Sequence, residues 1–425
     1  MLQHIKKRIE SLAQSIEHRA MVIVPGAGYV YRNLDVDFPF RQFSDFAYLT
    51  DWYYPEAWWL LRKEGDDVQV VLCCQDSDPA IERWEGKRLT PEAIVALGHA
   101  DEVIYREALE PLLKQWLSEI PTVYFPFEKK TQVEALLTGV LDDSNRRPVR
   151  PKAYLDVSPI LGAQRLYKSE DEIKQMRQAC QISTKAHESL MQQVKHKTHE
   201  YQLSSLFRDV CFQAGSEHLA YESIVASGEN ACILHYRTCR DAIDPNGLIL
   251  VDAGCEWQGY ASDITRTFPA NGQFSSEQRD IYQIVLEAQQ AVIDLVKPGV
   301  RFDVLHRKAN EIMSQGIHDL GILSNTSYDI RDLFFHGVSH WLGRDVHDPC
   351  PYSDQENHPM TLQPGMVLTV EPGLYISNQL KEISSDYHSI GIRIEDDVLV
   401  TEQGSDVLSK DCCKTIDAIE DIMKA

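Results

Sequence analysis

The chain lacks the features that mark exported, membrane-bound or nucleic-acid-binding proteins. Its ten cysteines form no CxxC pair and follow no regular spacing, with adjacent pairs only at Cys73-Cys74 and Cys412-Cys413. That scatter disfavours a disulfide framework or a thiolate metal site and fits reduced thiols. No run approaches the ~20 apolar residues needed to cross a bilayer. The opening MLQHIKKRIESLAQSIEHR sets Ile5, Ile9, Leu12 and Ile16 at helical spacing among charges, a pattern of an amphipathic helix rather than a signal peptide. No long basic stretch interrupts a balance of 42 Lys plus Arg against 64 Asp plus Glu, a formal net charge of −22. Nucleic acid and anionic membrane surfaces are therefore not expected as partners, and the cysteine usage and N-terminal pattern lead to an expected cytoplasmic location. Internal repeats and low-complexity segments are also missing.

What is present is enough chain for two domains: 425 residues, 43% of them hydrophobic. Strand-like runs at Met21–Val24, Val68–Leu72 and Thr122–Phe125 alternate with helical patterns at Pro91–Leu97 and Leu109–Leu117, which predicts a smaller α/β domain over residues 1–158. The proline- and charge-rich DDSNRRPVRPKAYLDVSP, 142–159, reads as the linker. Ser169 and Glu172 form a capping box ahead of a long helix, and further helices are expected from about Ser276 and around Val304–Met313. Strand candidates at Leu248–Glu256, Gly259–Phe268, Met366–Tyr375 and Gly391–Val400 complete an α+β domain over 159–425.

Asp252, Asp263, His340, Glu371 and Glu395 each sit inside an apolar stretch that reads as a strand or tight bend. Four converging buried carboxylates would repel one another and hold protons, whereas two divalent cations would neutralise them and use their oxygens as ligands. Oxygen-rich ligation with one imidazole suits Mn²⁺ first, with Co²⁺, Zn²⁺ or Fe²⁺ also compatible. Two such ions about 3.5 Å apart lower the pKa of a shared water and present hydroxide to an electrophile, so hydrolysis is the expected reaction. Asp252 and Asp263 lie eleven residues apart across a Gly254- and Gly259-containing hairpin, and Arg393 and Glu395 are expected on one face of a strand. His336 shares the glycine-flanked FFHGVSHWLG segment with His340, and His235 and His347 are further candidates.

The segments GENACILHYR, LVDAGCEWQGYASDITRTFP, FFHGVSHWLGRDVHD, LQPGMVLTVEPGLYI and GIRIEDDVLVT, in that order, resemble the aminopeptidase P branch of the pita-bread-fold metallopeptidases. FPFRQFSDFAYLT and RWEGKRL extend the resemblance through the N-terminal half. It implies hydrolysis of the N-terminal Xaa-Pro bond of peptides whose second residue is proline, and a homo-oligomer, dimer or tetramer. It further implies that Asp252 binds one metal ion, that Asp263 and Glu395 bridge both, and that His340 and Glu371 bind the second. His336 and His347 would contact the scissile peptide, His235 would line the substrate pocket, and Arg393 would orient a metal-binding carboxylate. Glu371 would exchange the proton between water and the departing amine. Trp84 matches an aromatic residue that closes over substrate, Asp35 an acidic group that reaches a neighbouring subunit's site, and one of Arg146, Arg147 and Arg150 a linker arginine. Within Asn230–Arg237 and His336–His347 no added arginine is assignable to capping a substrate carboxylate. Rival readings are a prolidase acting on Xaa-Pro dipeptides, a non-catalytic pita-bread binding module and, more distantly, creatinase-type chemistry.

Overall fold

The computed structural model describes residues 1–142 and 151–424, and these form two compact units, Met1–Gln164 and Arg165–Ala425. Arg146, Arg147 and Arg150 lie outside the described residues.

The first unit is built on a six-stranded mixed sheet in the order Glu102–Tyr105, Asp67–Cys74, Trp58–Glu64, Arg19–Pro25, Thr122–Phe125, Ala153–Asp156. The middle three strands run antiparallel and the outer ones add in parallel. Because helices cover both faces, the two central strands carry consecutive apolar residues rather than alternating ones: Val22, Val24, Trp59 and Leu61 pack to one side, and Met21, Ile23, Trp58 and Leu60 to the other. Trp84 lies on the Pro79–Glu85 helix and is 91% exposed; Asp35 sits in the turn of an exposed hairpin between Tyr31–Asn33 and Val36–Asp37.

The second unit is α+β. Its Glu170–Gln193 helix opens with the expected box: the Ser169 hydroxyl accepts from the Glu172 amide, and Glu172 accepts from the Ser169 amide. The Ser276–Leu295 helix has the same device at Ser275 and Gln278, and it pairs with Phe302–Asp319 as Glu170–Gln193 pairs with Glu200–Gln213. Leu248–Asp252 runs antiparallel between Ile224–Ser227 and Thr265–Pro269; Val367–Val370 pairs with Asp396–Val400; and Gly373–Ile376 pairs with Ile390–Arg393.

Each of the four long strands expected from sequence is interrupted, and the interruptions fall at the acidic candidates. Leu248–Asp252 stops at Asp252, the next hairpin breaks around Asp263, Glu371 lies between Val367–Val370 and Gly373–Ile376, and Glu395 between Ile390–Arg393 and Asp396–Val400. Arg393 therefore ends a strand and Glu395 lies beyond it, not on the shared face that their two-residue spacing suggests.

Candidate metal centre

The hairpin that joins Asp252 to Asp263 closes very tightly. A Cβ added to Gly254 would stand 1.8 Å from the carbonyl oxygen of Ser262, so only glycine lets the two arms approach. Thr265 then pairs opposite Asp252, and the Ala253 amide donates to Ile264, which turns both carboxylates the same way. The Tyr221 hydroxyl touches both, 2.5 Å from Asp252 Oδ1 and in contact with Asp263 Oδ1.

Outside the ladders, the other candidates are held by tertiary hydrogen bonds. The Glu371 amide donates to the Val338 carbonyl (2.8 Å) and the Glu395 amide to that of Thr265 (3.1 Å), while the Thr265 hydroxyl donates to Glu395 Oε2 (2.7 Å). His340 is fixed through Thr369, whose hydroxyl accepts from its amide at 3.1 Å. Its Nδ1 faces the Trp341 carbonyl at 3.1 Å, which leaves Nε2 to point inward, the arrangement of a ligand histidine.

Nε2 of His340 lies 3.4 Å from Asp263, 3.7 Å from Glu371 and 4.0 Å from Glu395. Donor atoms of Asp263, His340 and Glu395 all fall within 4.8 Å of one another. All nine candidates of the second unit, Asp252, Asp263, His340, Glu371, Glu395, His235, His336, His347 and Arg393, line one cavity of about 270 Å³.

The electrostatics test whether cations fit. Burial, reinforced by Asp263 and Glu371, pushes the Glu395 carboxyl well above its ordinary value. Burial likewise lifts Glu371 from 4.5 to about 7 and raises Asp252, although Arg393 pulls against both. Burial alone would depress His340, but its hydrogen bond to Asp263 and the charge of Glu371 carry it up to about 9. Nearby protein cations therefore do not balance this cluster. A hard, oxygen-favouring divalent ion fits the donor set, since it would release those protons and satisfy the oxygens.

Two residues missed in the sequence complete the site. Tyr375, buried, accepts from Arg393 Nη1 (2.9 Å) and meets His336 Nε2 (2.9 Å), while Arg393 Nη2 donates to Asp252 Oδ2 (2.6 Å). A chain of contacts thus runs from Asp252 to His336. Burial and then Arg393 hold the His336 imidazole down to about 3, so it stays neutral. The only signal for Tyr375 was a hydroxyl-bearing ring in an otherwise aliphatic strand, and Tyr221, in a loop, had none. His347 stands edge-on to His340 with centroids 4.3 Å apart.

A cleft of about 1100 Å³ shares His235, His347, Asp252 and Asp263 with the metal-centre cavity. Its wall includes Arg237 and Arg240, although the sequence of Asn230–Arg237 offered no added arginine assignable to capping a substrate carboxylate.

Comparison with known proteins accords with these features. Metallopeptidase family M24 matches residues 174–402, and the aminopeptidase P N-terminal domain matches 5–124. The chain is 36% identical to the Xaa-Pro aminopeptidase of Escherichia coli K12, over 100% of this chain and 98% of that protein. It is 31% identical to Xaa-Pro aminopeptidase 3 of Homo sapiens, over 97% and 82%. The solved structure of proline aminopeptidase P II from Yersinia pestis superposes with a TM-score of 0.93 at 35% identity over 100% of both chains. Aminopeptidase PepP of Pseudomonas aeruginosa gives 0.92 at 35%, over 99% and 97%.

Proposed function

The chain belongs to metallopeptidase family M24, with an aminopeptidase P N-terminal domain ahead of the catalytic unit, and from that membership we propose how its residues divide the work. It is an Xaa-Pro aminopeptidase, a metal-dependent hydrolase that removes the N-terminal residue from peptides whose second residue is proline. The observation that carries the site reading is the convergence of all nine second-unit candidates on one cavity.

Asp252, Asp263, His340, Glu371 and Glu395 would hold a pair of divalent cations, Mn²⁺ by preference, with Co²⁺, Zn²⁺ or Fe²⁺ as substitutes. Bound there, the cations supply a water that deprotonates near neutral pH and a positive field at the scissile carbonyl. Glu371 takes up a proton and returns it to the departing proline nitrogen. His336 and His347 flank the peptide and stabilise the intermediate in which charge develops on the carbonyl oxygen, with Tyr375 holding His336 in place. Arg393 orients Asp252 through their 2.6 Å contact and opposes the upward push of burial on its carboxyl. His235 lines the pocket, and Trp84 is the aromatic residue proposed to close over substrate.

A cytoplasmic homo-oligomer, dimer or tetramer, is the setting we propose. Ten free cysteines, most of them buried, fit a reducing compartment, and among the described residues no helix is long and apolar enough to cross a membrane.

The open cleft beside the metal centre gives room for a chain that continues beyond proline, which favours an aminopeptidase over a prolidase. Manganese-supplemented enzyme assayed on Xaa-Pro, Xaa-Pro-Yaa and Xaa-Ala-Yaa peptides tests this. The tripeptide Xaa-Pro-Yaa should exceed the dipeptide in kcat/KM by at least about tenfold, roughly 1.4 kcal/mol. Faster turnover of the dipeptide would make the enzyme a prolidase, and no turnover of any peptide would leave only a binding module.

A further inference from the structure

The wall of the larger cleft is built by a segment pinned from behind. Tyr236 and Cys239 turn inward, 7% and 8% exposed. The Tyr236 hydroxyl donates to buried Glu200 (2.8 Å), the Asp241 amide donates to the same carboxylate (3.0 Å), and the Cys239 thiol donates to the Ser223 carbonyl (3.4 Å). Beside these anchors His235, Arg237 and Arg240 are exposed, and all three line the cleft. Among the described residues of this unit, every other arginine pairs with a carboxylate or lies over an aromatic ring. Arg237 and Arg240 do neither, in a chain of net charge −22. Glu222 is the one carboxylate on the part of the wall away from the metal centre, so two guanidinium groups outweigh it there.

We propose that Arg237 and Arg240 form a carboxylate-binding wall of the substrate cleft, and that the enzyme favours Xaa-Pro peptides carrying a carboxylate within its reach. This rests on the Xaa-Pro aminopeptidase reading. Guanidinium groups recognise carboxylates through paired N–H donors, and two unpaired ones beside the metal centre present that recognition without first breaking an internal ion pair. Three positions could supply the anion: the side chain of the first residue, a side chain after proline, or the chain terminus of a short peptide.

Three matched pairs separate these sources with the metal-loaded enzyme: Glu-Pro-Ala-Ala-amide against its Gln counterpart, Ala-Pro-Glu-Ala-amide against its Gln counterpart, and Ala-Pro-Ala as free acid against amide. In at least one pair the charged member should be favoured by about three- to tenfold in kcat/KM, the scale of two exposed ion pairs. The gain should appear in KM, weaken as salt is raised, vanish in R237Q/R240Q and return in part in R237K/R240K. Equal rates within all three pairs, or a preference that survives in R237Q/R240Q, would overturn the inference while leaving the peptidase reading intact. Failure to cleave any of the six peptides would overturn that reading and this inference with it.

Discussion

Glu395 and Asp396 are neighbours in the chain, both buried, and their carboxyl groups are driven in opposite directions. Burial acts to raise Asp396, yet Arg266 and Lys414 prevail and hold it down at about 2. Its oxygens accept from Arg266 (2.8 Å), Lys414 (2.7 Å), Gln289 (2.7 Å) and Ser409 (2.7 Å), so every lone-pair direction is used. Glu395, on the other side of the same stretch, has among the described residues only His340 at 4.0 Å as an ion-pair partner, and burial with Asp263 and Glu371 pushes it well above its ordinary value. The fold is thus able to neutralise a buried carboxylate at this depth and does so one residue away. Leaving the Glu395 side without such partners suits it to the divalent ions proposed above.

Four measurements would break or sharpen that contrast. The largest effect is expected from Asp263→Asn or Glu395→Gln: both metal ions should be lost on elemental analysis and activity should fall by more than about a hundredfold, beyond what outer residues of a metal site usually cost. Full activity in metal-free protein would end the two-metal reading. On the opposite side, Asp396→Ala should leave Arg266 and Lys414 without their anion and destabilise the unit by about 3–5 kcal/mol in denaturant unfolding. That deficit should persist when parent and variant carry the same metal.

The third measurement compares metal-stripped parent with metal-stripped Glu371→Gln, which cancels the titrating groups that do not interact with Glu371. Because Glu371 binds its proton more tightly in the fold, the parent's relative stability should decline as pH rises from 4.5 to about 7, by on the order of a few kcal/mol. Saturating Mn²⁺ should abolish the decline, and a flat difference across that window would show that the carboxyl is not strained by burial. The smallest effect separates two histidines of one loop. His336→Ala should keep both metals and lower kcat by about a hundredfold, roughly 2.7 kcal/mol, whereas His340→Ala should lose metal as well. The reverse pattern would exchange their roles.

Much of this arrangement was legible in the chain because a charged residue inside a Val-, Ile- and Thr-rich run is conspicuous. Asp252, Asp263, Glu371 and Glu395 are all of that kind, and Pro372-Gly373 and Gly254 announce bends beside them. Strand lengths were overestimated for the same reason: apolar periodicity continues through Ala253, Ile264 and Ile394, which are buried at the breaks, so hydrophobicity alone does not show where the ladder stops. Tyr221 and Tyr375 escaped notice since an aromatic ring in an apolar segment is ordinary core unless its hydroxyl has a partner, and partners are a property of the folded chain. Arg237 and Arg240 follow the same logic: their side of the segment is set by what Glu200 and Cys239 hold, more than twenty residues away in one case.

The breaks in the strands bear on how such a scaffold can diverge. At Asp263, Glu371 and Glu395 the backbone amide donates to a tertiary partner, Asp397, Val338 and Thr265, rather than to an adjacent ladder. A change of side chain at any of the three leaves the flanking sheet pairing in place. Inheritance of architecture and inheritance of chemistry are therefore separable here: descendants that lose the proposed metal ligands one at a time can keep the same frame, free to acquire another use for a cavity already walled by histidine and arginine.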